Sequence, residues 1–158
     1  MADAKFEDGD DGPLRLLVQG AEDLSVASAL LQDAVLPVSE LRYDRKRRSF
    51  GLLVNRFRWE DAEAARKAGR GFERVRCLVV FDGVLSAKTQ GIDPKSGETI
   101  LSLLSVEFAA KDDVSGRVTL NFAGDGAIAL EVEALDLRIE DVTKPYYAPS
   151  RKAPDHRA

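Results

Sequence analysis

Histidine and cysteine are almost missing from this 158-residue chain, which has one of each. Zinc cages take three or four ligands from these residue types, so this pair cannot build one. A single cysteine also excludes an internal disulfide, and with it the stapled scaffolds of small secreted proteins. No apolar run approaches the ~20 residues that span a bilayer. The longest, Cys77 to Phe81, is only strand-length. A secretory signal begins basic and continues apolar. Here the start is reversed, with Asp3, Glu7, Asp8, Asp10 and Asp11 against Lys5 alone. The expectation is a cytoplasmic protein with no membrane partner.

What is present is an ordinary globular composition, 44% hydrophobic and 32% charged. The length suits one domain able to bury roughly two-thirds of its unfolded surface. The formal charge of −4 conceals an uneven layout. Residues 1–41 hold two basic and nine acidic side chains, and residues 42–76 hold twelve and five. Residues 77–158 hold nine and thirteen, so the blocks carry −7, +7 and −4. Such asymmetry marks either an anionic partner or an acidic arm lying over a basic face of its own protein.

Periodicity divides the chain into an acidic arm (1–13), a domain (14–142) and a proline-containing extended or disordered tail (143–158). Leu14 to Gln19 reads as a strand. Ala21 to Ala34 reads as an amphipathic helix, with Leu24, Ala27, Leu31 and Ala34 on one side and Glu22 and Asp23 in its first turn. From Val38 the period becomes two, predicting a hairpin through Asp44–Arg48 with Phe50, Leu52 and Val54 on one face. Glu60 to Ala68 predicts a short helix stopped at Gly69.

Strands are expected over Arg74–Phe81, Val84–Ile92, Ile100–Phe108, Val118–Phe122 and Ile128–Val132. Asp82-Gly83 reads as a hairpin turn. After Val132 the apolar positions move to Leu135, Leu137 and Ile139, a phase shift that a bulge near Glu133–Ala134 would produce. The fold class is therefore α+β: a mostly antiparallel sheet with one amphipathic and one short helix. Leu41-Arg42-Tyr43 followed by Phe57-Arg58-Trp59-Glu60-Asp61 echoes Leu120-Asn121-Phe122 followed by Leu137-Arg138-Ile139-Glu140-Asp141. Two related hairpin layers would explain the echo, and so would chance similarity between amphipathic hairpins.

Several of these segments together are similar to a family of small bacterial proteins, domain of unknown function 2948. They are the helix Glu22-Asp23-Leu24…Leu31-Gln32-Asp33-Ala34, the strand Val54-Asn55-Arg56-Phe57-Arg58-Trp59-Glu60, the run Leu101-Ser102-Leu103-Leu104 and the turn Phe122-Ala123-Gly124-Asp125-Gly126. The resemblance covers roughly residues 14–142 and implies a single bacterial domain. It implies no activity, cofactor or site residue.

Reactive groups are few. His156 lies among the tail residues and reads as solvated. Cys77 lies in an apolar strand and reads as a buried, inert thiol. Glu131 and Glu133 alternate with Leu130 and Val132, as on the solvent side of a strand. Asp112-Asp113 lacks the ligand spacing of a calcium loop. Gly69-Arg70-Gly71 lacks the phosphate-loop pattern, and Gly124-Asp125-Gly126 fits a hairpin turn. No catalytic residue, metal ligand or cofactor is expected.

The basic block offers the one candidate site: Arg45, Lys46, Arg47 and Arg48 in the turn, with Arg56 and Arg58 on the following strand. Tyr43, Phe57 and Trp59 are interleaved with them, a pattern that can hold phosphates and stack bases. Simple alternation sends the same aromatics into the core. The expectation is a non-catalytic interaction or regulatory protein with a protein partner, either a second copy or another chain. The rivals are anion or RNA binding through residues 42–58, and a small enzyme using carboxylates and arginine.

Overall fold

Alternation of apolar and polar residues dominates residues 12–147, which the computed structural model describes, and strands follow from it. In chain order they are β1 (Arg15–Val18), β2 (Val35–Pro37), β3 (Leu41–Asp44), β4 (Ser49–Phe57), β5 (Glu73–Asp82) and β6 (Val84–Gln90). Then come β7 (Ile100–Ala110), β8 (Gly116–Phe122), β9 (Ala127–Val132), β10 (Leu137–Asp141) and β11 (Tyr146–Tyr147). Helix α1 (Ala21–Leu31) lies between β1 and β2, and α2 (Ala62–Ala68) between β4 and β5. The protein is α+β. Its strands join in the order β1-β10-β5-β4-β2-β7-β8-β9-β6, with β3 beside β4 and β11 beside β5. All of these pairings are antiparallel.

The sheet bends at one corner, and here the structure corrects two expectations. Asp82-Gly83 is not a hairpin turn: β6 does not fold back on β5 but pairs with β9, while β5 lies between β4 and β10. Thus β5–β6 and β9–β10 form one continuous ribbon that turns from one half of the sheet into the other. Leu137 faces Phe81 and Val132 faces Val84, so Glu133–Asp136 stand opposite only Asp82 and Gly83. The phase shift near Glu133–Ala134 is therefore real, but its cause is this wider corner rather than a one-residue bulge. Asp82 N–H donates to Asp136 C=O (3.0 Å) and Glu133 N–H to Gly83 C=O (2.9 Å). Gly83 has φ +69°, and a Cβ there would meet the Glu133 side chain at 3.4 Å. A positive φ marks a sharp change of direction but does not choose between a reversal and a corner.

Beyond the corner, β7, β8 and β9 form a meander and β6 returns beside β9, a Greek-key arrangement. The predicted hairpin of β3 and β4 through residues 45–48 is present. The echoed segments are not equivalent, because β8 pairs with β7 and β9 and not with β10.

Helix α1 buries Leu24, Ala27 and Leu31 as its spacing requires. It ends at Leu31, earlier than the expected Ala34, because Asp33 adopts φ +67°. The chain then joins β7: Asp33 N–H donates to Leu103 C=O (2.7 Å) and Leu103 N–H to Ala34 C=O (2.8 Å). The helix packs on β1, β4 and β7. A single buried cluster unites its apolar side with the inner faces of both halves of the sheet. Helix α2 stops where the sequence indicates, at Gly69 with φ +67°. Of the expected tail, Thr143–Tyr147 is described, and Tyr146–Tyr147 pairs with Arg74 and Glu73 of β5. The expectations for residues 1–11 and for His156 lie outside the described residues.

Candidate functional site

The structure divides the six basic candidates between opposite ends of β4. Arg45, Lys46, Arg47 and Arg48 form the hairpin tip and are exposed. Asp44 lies 3.9 Å from Arg47, and Glu133 holds Arg48 at 2.5 Å. Arg56 and Arg58 do not join that surface. Phe50, Leu52, Val54 and Arg56 occupy successive inward positions of β4, so Arg56 ends a row of core residues and is fully buried. Arg58 is 4% exposed. The separation follows from strand geometry: the seven steps of β4 from Ser49 to Arg56 span roughly 23 Å.

Around Arg56 the chain assembles a closed ionic cluster. Arg56 Nε donates to Asp141 Oδ1 (3.0 Å) and Nη2 to Asp141 Oδ2 (2.9 Å). Its Nη1 and Nη2 also donate to Glu60 Oε1 (2.9 Å) and Oε2 (2.6 Å), and Nη1 reaches Phe57 C=O (3.3 Å). All five guanidinium donors are therefore used. Asp141, at the end of β10, also accepts from Leu14 N–H (2.9 Å), which ties the chain just before β1 into the cluster. Arg58 bonds Glu73, and lies 3.9 Å from both Glu60 and Asp61. Arg70, just past α2, grips Asp61 with two bonds of 2.7 Å.

Burial pushes Glu60 upward, but its bonds to Arg56 outweigh that and hold its carboxyl below the usual range. Arg70, against a smaller opposing effect of burial, holds Asp61 down. Burial opposes the charge on Arg56, yet Glu60 and Asp141 raise its pKa. These groups are ionised partners of one another, neither poised acids nor bases. Cys77 lies beside Asp141 in the β5–β10 register; burial first, then that carboxylate, pushes the thiol up to about 12. A thiol so shifted stays protonated and unreactive.

The interleaved aromatics are structural. Phe57 is fully buried and meets Trp59 edge-on at 4.6 Å between centroids, with Phe72 at 5.7 Å. Trp59 Nε1 donates to Gln32 C=O (3.1 Å), and Tyr43 Oη to Val84 C=O (3.2 Å). Phe57 is closed to a base, while Tyr43 and Trp59 are half-buried with their polar atoms bonded to the backbone.

A different region, missed by sequence reasoning, presents unused polar groups. Strand β2 covers β7 only at Ile100–Ser102. Beyond Leu103 the same edge of β7 faces α1, and Val106 N–H donates to Ser28 Oγ (2.9 Å). Val106 thus points away from β8, and antiparallel alternation aims the backbone N–H and C=O of Phe108 and Ala110 the same way. Among the described residues no strand lies beside this segment. Between the edge and α1 runs an open groove of about 510 Å³, lined by Leu24, Ser25, Ser28, Ala29, Gln32 and Leu104–Phe108, with Ala21 at its end. A smaller hollow of about 90 Å³ lies between β2 and β4. Neither cavity is lined by a residue of the ionic cluster.

Among the described residues no three His, Cys, Asp or Glu side chains are placed to share a metal ion. No helix there is long and apolar enough to cross a membrane. The family model described as protein of unknown function (DUF2948) matches residues 14–156. No curated protein and no solved structure matches.

Proposed function

We propose, from the premise that the chain belongs to the DUF2948 family and takes no activity from that membership, a non-catalytic protein-interaction domain. Its partner site is the α1–β7 groove. The observation that carries this reading is the unpaired edge of β7 beside an open groove. An unpaired edge presents a row of backbone N–H and C=O groups on which another chain can form a ladder, exchanging bonds to water for bonds to protein. The lowered pKa values of Glu60 and Asp61 weigh against the carboxylate enzyme, because both remain ionised and saturated by arginine.

Site-specific photo-cross-linking in the native host tests the reading. A photoreactive residue at Ala29, in the groove, is expected to give an adduct of defined mass that Ser25→Arg removes. The same residue at Leu78, on the outer side of β5, is expected to give none. Adducts equally abundant at both positions, or absent at Ala29, would sink the proposal.

The hairpin tip supports a second reading, anion or RNA binding. Arg45 and Lys46 are exposed, and no carboxylate among the described residues pairs with them. Only the tip remains for this role once Arg56 and Arg58 are withdrawn. Neutralising Arg45, Lys46, Arg47 and Arg48 should then abolish salt-sensitive RNA binding. Unchanged binding by that variant would dismiss it.

A further inference from the structure

Resting on the groove reading above, we propose that the occupant is an extended, cationic peptide segment of another protein, which joins β7 as an added strand. Main-chain bonds to Phe108 and Ala110 would hold the segment, as in other cases of strand addition. Because Val106 N–H is held by Ser28 Oγ, the free stretch is Glu107–Ala110, which spans about 10 Å, enough to pair three or four residues. The helix wall is low: Ala21, Ser25, Ser28 and Ala29 are small, which leaves room for a backbone and one row of its side chains.

The charge of the walls selects the occupant. No Lys or Arg occurs from Leu16 to Leu41, nor within Ile100–Ala110. The acids there include Glu22 and Asp23 in the first turn of α1; Glu107, which accepts from Asn121 Nδ2 (2.8 Å), is the one charged residue that lines the groove. A strand with lysine or arginine at alternate positions complements these acids. The other edges differ. Strand β6 carries Lys88 and an irregularity between Val84 and Ser86, and β1 is four residues long and begins with Arg15. Lysines, bulges and brevity are the devices by which edges avoid pairing. Val106–Ala110 itself has neither lysine nor proline; Lys111 follows it, and the irregularity of β7 lies before it, between Leu103 and Ser105.

Amide hydrogen exchange on the full chain, followed by NMR, tests the proposal. The probe is a ten-residue peptide alternating lysine and threonine. Two controls accompany it: the same peptide N-methylated at every second residue, and its glutamate-for-lysine counterpart. The parent peptide is expected to slow exchange at Phe108 and Ala110 at least tenfold, leaving Glu107 and Ala109 unchanged. N-methylation, glutamate replacement, and Ser25→Arg with Ala29→Arg in the protein should each remove the effect. Equal protection by the glutamate peptide would overturn the cationic preference while leaving the groove as an interaction site. Protection by no peptide would overturn strand addition, and the position-specific cross-links at Ala29 would then decide the broader reading alone. If Phe108 and Ala110 are already protected and lose that protection when residues 148–158 are removed, the occupant is this chain's own segment. That result also overturns the proposal.

Discussion

The two ends of β4 received similar residues and treat them in opposite ways. At the hairpin tip, Arg45 and Lys46 stand in solvent, where they cost little and fix little. At the other end, Arg56 has no exposed surface and all its donors are engaged. The difference is one of position on a pleated strand. A basic residue is a surface feature when it falls in a turn. It becomes a fastening when alternation places it on the inner face, because a buried charge must bring its counter-charges with it. Arg56 thereby joins β4, β10 and the turn before α2 through a single guanidinium, and Asp141 adds the chain just before β1.

Arg56→Met should break this contrast most severely. It leaves Asp141 buried without a cation and Glu60 with only Arg58 at 3.9 Å, at a cost of about 3–5 kcal/mol. Urea denaturation reads the loss, and Arg56→Lys should recover only part of it, lacking the planar fork. Replacing Arg56, Glu60 and Asp141 together by apolar residues of similar volume should restore much of the stability. If the triple replacement is as unstable as the single one, the cluster is more than a mutually compensated group.

A smaller effect is expected from acid. Glu60 and Asp61 have folded-state values below their ordinary values of 4.5 and 3.8. Their contribution is therefore complete above those values and is lost as pH falls below them through the folded values. Denaturation midpoints should be flat near neutrality and decline below about pH 4.5, and Glu60→Gln should flatten the decline. An unaltered pH profile in that variant would remove Glu60 from the account.

The tip should respond least. Breaking the exposed Arg48–Glu133 pair by Arg48→Gln is expected to cost about 0.5 kcal/mol. Arg45→Gln with Lys46→Gln should leave the midpoint unchanged. A large loss in either would show that the tip, too, fastens the fold.

Much of the local structure was legible from residue order. The apolar side of α1, the β3–β4 hairpin, the stop at Gly69 and the burial of Cys77 all follow from periodicity and turn chemistry. The same rule contained the fate of Arg56: continuing Phe50, Leu52 and Val54 by two positions reaches it. What concealed that fate was grouping arginines by proximity in sequence instead of by the face they share. The partners of Arg56 were less accessible, since Asp141 lies 85 positions away and meets it only through the β4-β5-β10 order. The corner at Gly83 and the open edge of β7 were hidden for the same reason. Each depends on which strand lies alongside, and no local pattern specifies that.

The shared ribbon of β5–β6 and β9–β10 bears on how such a protein comes apart. Sheets linked by loops alone can part like the covers of a book, each keeping its own ladder. Here two continuous stretches of chain cross the fold line together, so separating the halves means tearing the ladder at its bend. Neither half is a module that could be excised and exchanged, and heat should dissolve both in one transition.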